Sequence, residues 1–266
     1  MTIRRSLKRW LYGSCPGFAG RFPYFGTQVY FPKGSHSFLA ACEQGIFESD
    51  NVRLLQGLVR PGSWMFDVGA NIGLMSIPIL LNRSDVHVVA FEPSPNTLPW
   101  LRRTIDRSAL RDRWTLVPRA VGAETKRVSF SVSAIEESLY DGIRATGRVG
   151  QARTVEVEQT TLDETWRALG SPDVSMIKCD VEGGELAVFQ GARQCLGASR
   201  PAVLTEFNRL NLAAYEISAE TLLGFIKEVE YRIYALPGLA EVRRPRELEV
   251  QMIFTESFLL LPSELR

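Results

Sequence analysis

Short apolar runs alternate with amphipathic segments along the chain, and this alternation constrains the fold more than any other feature. Strands without a polar face are buried on both sides, as in a parallel sheet that helices cover. The apolar runs of strand length are residues 64–68, 86–91, 114–121, 174–179 and 201–207. The sequence therefore predicts an α/β fold, with a mostly parallel sheet and helices on both faces.

The remaining elements follow from periodicity and from breaking residues. The predicted helices are 49–59, 74–83, 95–107, 161–169, 184–196 and 218–229. Pro78 lies inside one of them, and we expect a kink there because proline lacks an amide hydrogen. Residues 126–133 and 153–159 alternate apolar and polar side chains, which indicates antiparallel strands. Further strands are predicted at 231–235 and 251–260.

Length and charge limit the classes of function. A chain of 266 residues is long enough for one sizeable core. It has 31 basic and 30 acidic residues, and this balance argues against a nucleic-acid partner. The four cysteines form no C-x-x-C pair, so we expect reduced thiols, no metal and a cytoplasmic location. No apolar run is long enough for a membrane span, and no signal peptide is predicted.

The N-terminal segment differs from the rest of the chain. We predict a basic and aromatic extension over residues 1–45 and one domain over 46–266. Ile3, Leu7 and Trp10 have helical spacing among basic residues, which would allow residues 1–20 to contact an anionic membrane. The alternative is that this stripe packs on its own domain or on a partner subunit. We favour that alternative because one or two helical turns bury little area.

An acidic residue and a glycine turn follow the first buried strand. Asp67 ends the strand, and Gly69 and Gly73 allow the backbone to turn tightly and to approach a ligand. The segment is not a G-x-G-x-x-G motif, because Asn71 and Leu74 stand where glycines are required, and a P-loop lysine is absent. A nicotinamide or flavin cofactor is therefore disfavoured, and the acid would repel a phosphate.

A second acid follows the second buried strand. Glu92 lies nineteen residues after Gly73, where a carboxylate can accept hydrogen bonds from both hydroxyls of a ribose. Two acids after adjacent strands, on either side of a glycine turn, indicate a ligand of the adenosine type. S-adenosylmethionine fits best, because it combines a ribose and an ammonium group with no phosphate.

Several motifs resemble those of the FkbM-type S-adenosylmethionine-dependent methyltransferases, over roughly residues 45–210. The similar stretches are Phe66 to Gly73, Phe91 to Pro95, Ala120 to Gly122, Thr161 to Glu164, and Ile177 to Glu185 with its continuation Phe189 to Ala192. The resemblance implies a Rossmann-like class I methyltransferase fold, with a mostly parallel seven-stranded sheet and one antiparallel strand near the C-terminal end. It also implies methyl transfer to a hydroxyl of a sugar, a glycan or a polyketide-type product.

The resemblance also assigns the cofactor residues. The residues that would line the methionine end of S-adenosylmethionine are Asp67, Gly69, Ala70, Asn71 and Gly73. Glu92 would hold the ribose, and Pro93 and Ala120 would lie near the adenine. Glu48, in a stretch upstream of the first strand, would close over the cofactor.

Candidate catalytic residues follow the fourth buried strand. Asp180 and Glu182 are expected to contact the acceptor hydroxyl, with Asp180 as the base. Alternatively, Glu182 only stabilises the N-terminus of the next helix. Glu206 after the fifth strand completes the acceptor pocket or is a rim charge. No ligand spacing is strong enough to predict a metal between these acids.

Other functions stay open on the same residues. The cofactor motifs would also suit a protein that binds the cofactor without catalysis, or an enzyme that methylates a nitrogen of a small molecule. Methyltransferases that act on nucleobase amino groups commonly have an Asn/Asp-Pro-Pro-aromatic segment after the fourth strand. This chain has Asp180-Val181-Glu182-Gly183 there, so we expect a small-molecule or glycan acceptor. The sequence does not predict an oligomeric state.

Overall fold

The computed structural model of the chain describes residues 2–133, 142–143 and 151–264. The strands, in chain order, are β1 (Arg21–Tyr24), β2 (Thr27–Tyr30), β3 (Trp64–Val68), β4 (His87–Phe91), β5 (Trp114–Val117), β6 (Ala120–Val121), β7 (Lys126–Ser133), β8 (Gln151–Thr160), β9 (Val174–Cys179), β10 (Ala202–Glu206), β11 (Tyr231–Ala235), β12 (Ala240–Val242) and β13 (Ser257–Pro262). The α-helices are α1 (Thr2–Gly13), α2 (His36–Gln44), α3 (Ser49–Leu58), α4 (Ser76–Asn82), α5 (Leu98–Asp106), α6 (Leu162–Ala168), α7 (Glu185–Gln190), α8 (Arg193–Ser199), α9 (Arg209–Ala214), α10 (Ala219–Glu228) and α11 (Pro245–Phe254).

The main sheet has eight strands in the order β12-β11-β13-β10-β9-β3-β4-β5. The five strands from β10 to β5 in this order are parallel, and β13 is antiparallel to β10. The predicted mostly parallel sheet is therefore confirmed, including its antiparallel strand near the C-terminal end. Its strand count is eight rather than the expected seven.

Alternate residues of the central strands pack into two separate apolar clusters. Phe66 and Ile177 belong to one cluster, with side chains of α6, α7, α8 and α10. Met65 and Met176, one position earlier on the same strands, belong to the other, with side chains of α2, α3, α4 and α5. Successive strand residues point to opposite faces, so the predicted helices lie on both faces of the sheet.

The expected strand over 114–121 is in fact two strands of different sheets. The Arg119 amide donates to the Val117 carbonyl at 2.9 Å, and this turn ends β5. β6 then pairs with β8 in a second sheet of order β6-β8-β7. The predicted antiparallel pairing of the two alternating segments is confirmed, since β7 and β8 are antiparallel.

Two helix predictions and one strand prediction are wrong in detail. The expected helix 184–196 is divided into α7 and α8, because the buried Asp163 carboxylate accepts hydrogen bonds from the Gln194 and Cys195 amides at 2.9 and 2.8 Å and starts a new helix. The predicted strand 251–260 is displaced, because α11 extends to Phe254 and β13 begins at Ser257. Pro78 lies in the first turn of α4, where amides have no intrahelical acceptor, so it needs no kink.

The N-terminal segment packs on the sheet domain. Phe22, Phe31 and Phe38 are buried against one another and join the apolar cluster that covers one sheet face. The Tyr30 amide donates to Thr104 Oγ1 at 3.0 Å, which ties β2 to α5. The division into 1–45 and 46–266 stays a prediction, since these contacts join the two parts without deciding whether either folds alone.

The first helix of the chain does not bury its apolar stripe on this domain. The side chains of Leu7 and Trp10 are 56% and 57% exposed, so these two residues do not pack on the sheet domain, while packing of the stripe on a partner subunit stays a prediction. Within the part of the chain that the structure describes, no helix has the length and apolar character needed to cross a membrane.

Candidate active site

A cleft opens at the carboxyl ends of β3, β4 and β9. Its lining includes six of the eight predicted cofactor residues, which are Gly69, Ala70, Asn71, Glu92, Pro93 and Ala120. Asp180 and Glu182, the two predicted catalytic residues, line the same cleft. The carboxyl ends of parallel strands are where α/β sheets bind ligands, so the fold brings these residues together at a plausible ligand site.

The loop after β3 is in close contact with the loop after β9. Gly69 has a φ of +77°, and a Cβ added there would lie 1.9 Å from the Asp180 carbonyl oxygen. Asn71 is also in the left-handed region, and its Oδ1 accepts hydrogen bonds from Ser37 Oγ and the Ile72 amide, both at 2.9 Å. These contacts hold the loop backbone open toward the cleft.

Asp67 and Gly73 lie behind this loop and do not line the cleft. Asp67 is fully buried, accepts a hydrogen bond from Ser76 Oγ at 2.5 Å, and has its Oδ1 3.9 Å from Lys178 Nζ. Burial raises the pKa of this carboxyl, while the Lys178 ammonium opposes the shift. A Cβ on Gly73 would lie 2.7 Å from the Trp114 ring. Both residues therefore support the loop from the core, and the cofactor contact predicted for them stays a prediction.

Glu92 presents a fixed carboxylate beside the cleft. The side chain is 5% exposed, and its two oxygens accept hydrogen bonds from the Asn71 amide at 2.7 Å and the Ser94 amide at 2.8 Å. A carboxylate has about four acceptor positions, so backbone amides can orient this group while it faces further donors.

A lysine lies at the centre of a group of carboxylates across the cleft. Lys178 Nζ donates to the Gly69 carbonyl at 2.9 Å and to Asp180 Oδ2 at 3.2 Å. Burial alone would lower the pKa of this ammonium, but Asp180, Asp67, Glu48 and Glu206 together raise it above its ordinary value. Lys178 is therefore a permanent cation that balances part of the negative charge.

Glu48 and Glu206 complete this group. The negative charge of Asp180, followed by burial and the charge of Glu48, raises the pKa of Glu206 to about 9. Burial also raises the pKa of Glu48, whose carboxylate accepts a hydrogen bond from Asn51 Nδ2 at 3.0 Å. This shift in pKa favours the protonated form of Glu206, which can donate a hydrogen bond.

Glu182 and Glu185 shape the loop that follows β9. Glu182 has a φ of +55°, and its Oε2 accepts a hydrogen bond from Asn211 Nδ2 at 2.8 Å. The buried Glu185 accepts from the Val181 amide at 3.2 Å and the Gly183 amide at 3.1 Å. Burial raises the pKa of Glu185 to about 7, against these amide hydrogen bonds. Glu185 therefore stabilises the loop, and Glu182 faces the cleft.

Among the residues that the structure describes, no group of three or more His, Cys, Asp and Glu side chains is arranged to hold a metal ion. All four cysteines are free. His87 stacks on Trp64 with ring centroids 4.7 Å apart, and His36 is exposed at the start of α2. Among the described residues that line the cleft, the ionisable side chains are Glu92, Arg119, Lys178, Asp180 and Glu182.

Sequence reasoning missed several residues of the cleft wall. Ser37 and Phe47 come from the N-terminal segment and its connection to α3, and Phe130 and Ile143 come from β7 and the loop beyond it. Phe47 directly precedes Glu48 in the stretch upstream of the first strand, whereas the other three belong to parts of the chain with no recognisable motif, and only tertiary packing brings them to the cleft. The sequence also predicts that the polar loop 134–150 helps to shape the acceptor site, and most of this loop lies outside the described residues.

A mostly parallel sheet with a cleft at the switch point between β3 and β9 is the Rossmann-like arrangement of the class I methyltransferases. The sequence profile of the methyltransferase FkbM domain matches residues 67–233, and the chain belongs to this family.

The chain is similar to several curated proteins. It is 26% identical over 224 residues to the 31-O-demethyl-FK506 methyltransferase FkbM of Streptomyces tacrolimicus, covering 75% of this chain and 85% of that one. It is 28% identical over 151 residues to the hexuronic acid methyltransferase AglP of Haloferax volcanii, covering 56% and 58%. A ribosomal RNA small subunit methyltransferase G of Mycolicibacterium smegmatis is 29% identical over 147 residues, covering 48% and 60%.

The last two alignments span about three-fifths of the length of those relatives. Among solved structures, methyltransferase FkbM of Methylobacillus flagellatus is 18% identical with a TM-score of 0.49, covering 85% of this chain and 53% of that one.

Proposed function

We propose that the protein is an S-adenosylmethionine-dependent methyltransferase that acts on a hydroxyl of a sugar, a glycan or a polyketide-type product. The observation that carries this proposal is the cleft itself. It has the Glu92 carboxylate on the β4 side and Asp180 on the β9 side, with the Gly69 loop between them. A ligand in this cleft would contact both the cofactor-type residues and the candidate base.

The lining suits S-adenosylmethionine along its length. Glu92 is positioned to accept hydrogen bonds from ribose hydroxyls, and its backbone amide contacts fix its orientation. Pro93 and Ala120 offer an apolar wall for the adenine. The exposed edge of the Gly69 loop would face the amino-acid end of the ligand, and the nearby carboxylates favour its ammonium group.

The chain's own side chains would serve the acceptor. S-adenosylmethionine supplies a methyl group on a sulfonium, which is already activated for in-line transfer. The enzyme then needs mainly to align the partners and exclude water. We assign Asp180 as the base that takes the proton of the acceptor hydroxyl, while the Lys178 ammonium 3.2 Å away balances its charge. Glu182 and Glu206 would orient the acceptor by hydrogen bonds.

Family relatives support the choice of acceptor class. Two relatives are named for a hexuronic acid and for a demethylated FK506 as their substrates, and both compounds carry hydroxyl groups. Nitrogen methylation and cofactor binding without catalysis remain alternatives that the experiments below distinguish. Relatives named for ribosomal RNA make that RNA a necessary member of any acceptor panel.

Calorimetric titration tests the cofactor. We expect S-adenosylmethionine and S-adenosylhomocysteine to bind and NAD not to bind. Glu92→Ala should weaken binding of both sulfur ligands at least tenfold, since hydrogen bonds to charged groups contribute about 1.5–3 kcal/mol. Glu249→Ala, on the exposed surface of α11, is the matched control and should bind normally. Binding of NAD with no binding of either sulfur ligand would contradict the proposal.

Turnover tests the acceptor. Labelled S-adenosylmethionine is offered with neutral sugars, uronic acids, a macrolide with a free hydroxyl, small amines and ribosomal RNA. We expect methylation of a hydroxyl compound, and Asp180→Asn should lower its rate by about 10²–10⁴-fold while cofactor binding stays unchanged. Labelling of RNA or of amines alone would overturn the proposed acceptor. Cofactor binding without labelling of any compound would support a non-catalytic protein.

A further inference from the structure

The helix α1 presents an unpartnered apolar stripe to solvent. Leu7 and Trp10 are three residues apart, so they share one face of the helix, and more than half of each side chain is exposed. Phe18, in the turn after α1, is 52% exposed, and Phe25, at the tip of the β1–β2 hairpin, is 44% exposed. Large exposed apolar side chains that gather in one segment mark an interaction surface.

The opposite side of α1 holds the helix on the protein. Tyr12 packs against the apolar cluster beneath it, and Arg9 Nη1 lies 3.3 Å from Glu43 Oε1 of α2. On a helix, Tyr12 and Arg9 project about a third to a half of a turn away from the Leu7–Trp10 face. The helix is therefore fixed by its polar side, and this attachment directs the stripe outward.

Charge identifies the kind of surface that would cover the stripe. The first 42 residues contain six basic residues and no acidic one, while the rest of the chain has 25 basic and 30 acidic residues. Arg5, Lys8 and Arg9 are exposed on the polar side of α1, about a third to a half of a turn from the stripe. An amphipathic helix with basic residues on its polar face and Trp or Leu on its apolar face is suited to the interface of an anionic bilayer. A second copy of the chain would bring two segments of the same net positive charge together.

We propose that α1 docks on an anionic lipid surface, with Leu7 and Trp10 inserted at the headgroup level and the positive charge of the N-terminal segment attracted to the lipid charges. This membrane contact goes beyond the proposed methyl transfer and does not depend on it. One short helix gives weak and reversible attachment, because stable anchoring requires a second signal. The contact should weaken as salt screens the lipid surface potential.

Co-sedimentation with lipid vesicles tests this proposal. The full chain should bind vesicles of phosphatidylglycerol and phosphatidylcholine, and should not bind vesicles of phosphatidylcholine alone. The double variant Leu7→Ser/Trp10→Ser should bind the anionic vesicles with an affinity at least about tenfold lower. The matched control Ile253→Ser/Phe254→Ser removes two side chains of α11 that are 62% and 80% exposed, and it should bind like the parent chain.

The charge contribution has its own variants. Arg5→Ser and Lys8→Ser should each lower the affinity for anionic vesicles about fivefold. Circular dichroism and thermal denaturation of every variant should match the parent chain, since all the changed side chains are exposed.

Four results would overturn the proposal. They are failure of the parent chain to bind anionic vesicles, equal binding to neutral vesicles, full binding by the Leu7→Ser/Trp10→Ser variant, and a dimer of the parent chain that this variant abolishes in light scattering. The last result would mean that the stripe is an interface between copies of the chain. Cofactor titration is independent of all four, so failure of this proposal and failure of the proposed methyl transfer are distinguishable.

Discussion

Position 69 requires glycine, because the Asp180 carbonyl oxygen leaves no room for a Cβ atom there. A methyl group there would lie 1.9 Å from the Asp180 carbonyl oxygen, on a backbone with φ of +77°. We expect Gly69→Ala to lower the free energy of unfolding by about 1–3 kcal/mol from backbone strain, with a further loss as the two loops separate. Denaturant unfolding measures this. Gly224→Ala, in the exposed middle of α10 with open space around it, should instead stabilise the protein by about 0.5–1 kcal/mol.

Glu185 should make stability depend on pH. Its pKa is about 7 in the folded protein, raised by burial from an ordinary value of 4.5. Between these values, the folded state binds a proton that the unfolded state has lost, so stability falls as pH rises from about 4.5 to 7. Glu185→Gln should remove this slope and gain up to roughly 3 kcal/mol above pH 7, from about 1.36 kcal/mol per unit of pKa shift. Unfolding curves at several pH values test it, and an unchanged slope in the variant would count against it.

The sequence motifs predicted which residues gather at the cleft, but they did not predict how deeply each residue is buried. Asp67 is fully buried beside Ser76 and Lys178, and Gly73 abuts the Trp114 ring, although the motif gives them no position different from that of their neighbours. A motif gives the order of residues along a turn, but how deeply each residue is buried depends on side chains from distant parts of the chain. Ser37 could not be predicted at all, because only the packing of α2 brings it to Asn71.

At the scale of elements, a buried carboxylate decides where one helix ends and the next begins. The Asp163 oxygens accept hydrogen bonds from the first amides of α8, although Asp163 itself lies on α6. We expect Asp163→Ala to lower the free energy of unfolding by about 1–2 kcal/mol, the upper range for loss of a helix cap. Asp112→Ala, at a site where the side chain is 89% exposed, should have almost no effect. A similar loss in both variants would contradict the capping role.

The same contact explains which elements were predictable. Buried strands such as β3, β4 and β9 follow from local apolar runs, and their positions agree with the prediction within one residue. The division between α7 and α8 does not follow from the local sequence, because the carboxylate that causes it lies some thirty residues earlier in the chain. The strand predicted at 251–260 was displaced because the apolar residues at the end of α11 and in β13 lie close together in sequence. Their spacing does not show where the helix ends and the strand begins.

At the scale of the whole molecule, the N-terminal segment has two parts that should respond differently to removal. Deletion of residues 1–13 takes away a largely exposed helix, and we expect the remainder to stay folded and to unfold cooperatively. Deletion of residues 1–45 would uncover the sheet face beneath Phe22, Phe31 and Phe38, so we expect aggregation or loss of cooperative unfolding. Size-exclusion chromatography and thermal denaturation of both shortened chains test this. A monomeric, cooperatively folded 46–266 would support the predicted domain boundary instead.

The contact between the Gly69 loop and Asp180 also bears on how the protein is made. The ribosome delivers residue 69 long before residue 180, yet β3 stays without its β9 neighbour until that later segment arrives. At a translation speed of roughly 5–20 residues per second, this interval lasts on the order of 5–20 s. During that time, β3 of the nascent chain is an unpaired sheet edge. This is the period in which binding of a chaperone to that edge would matter most.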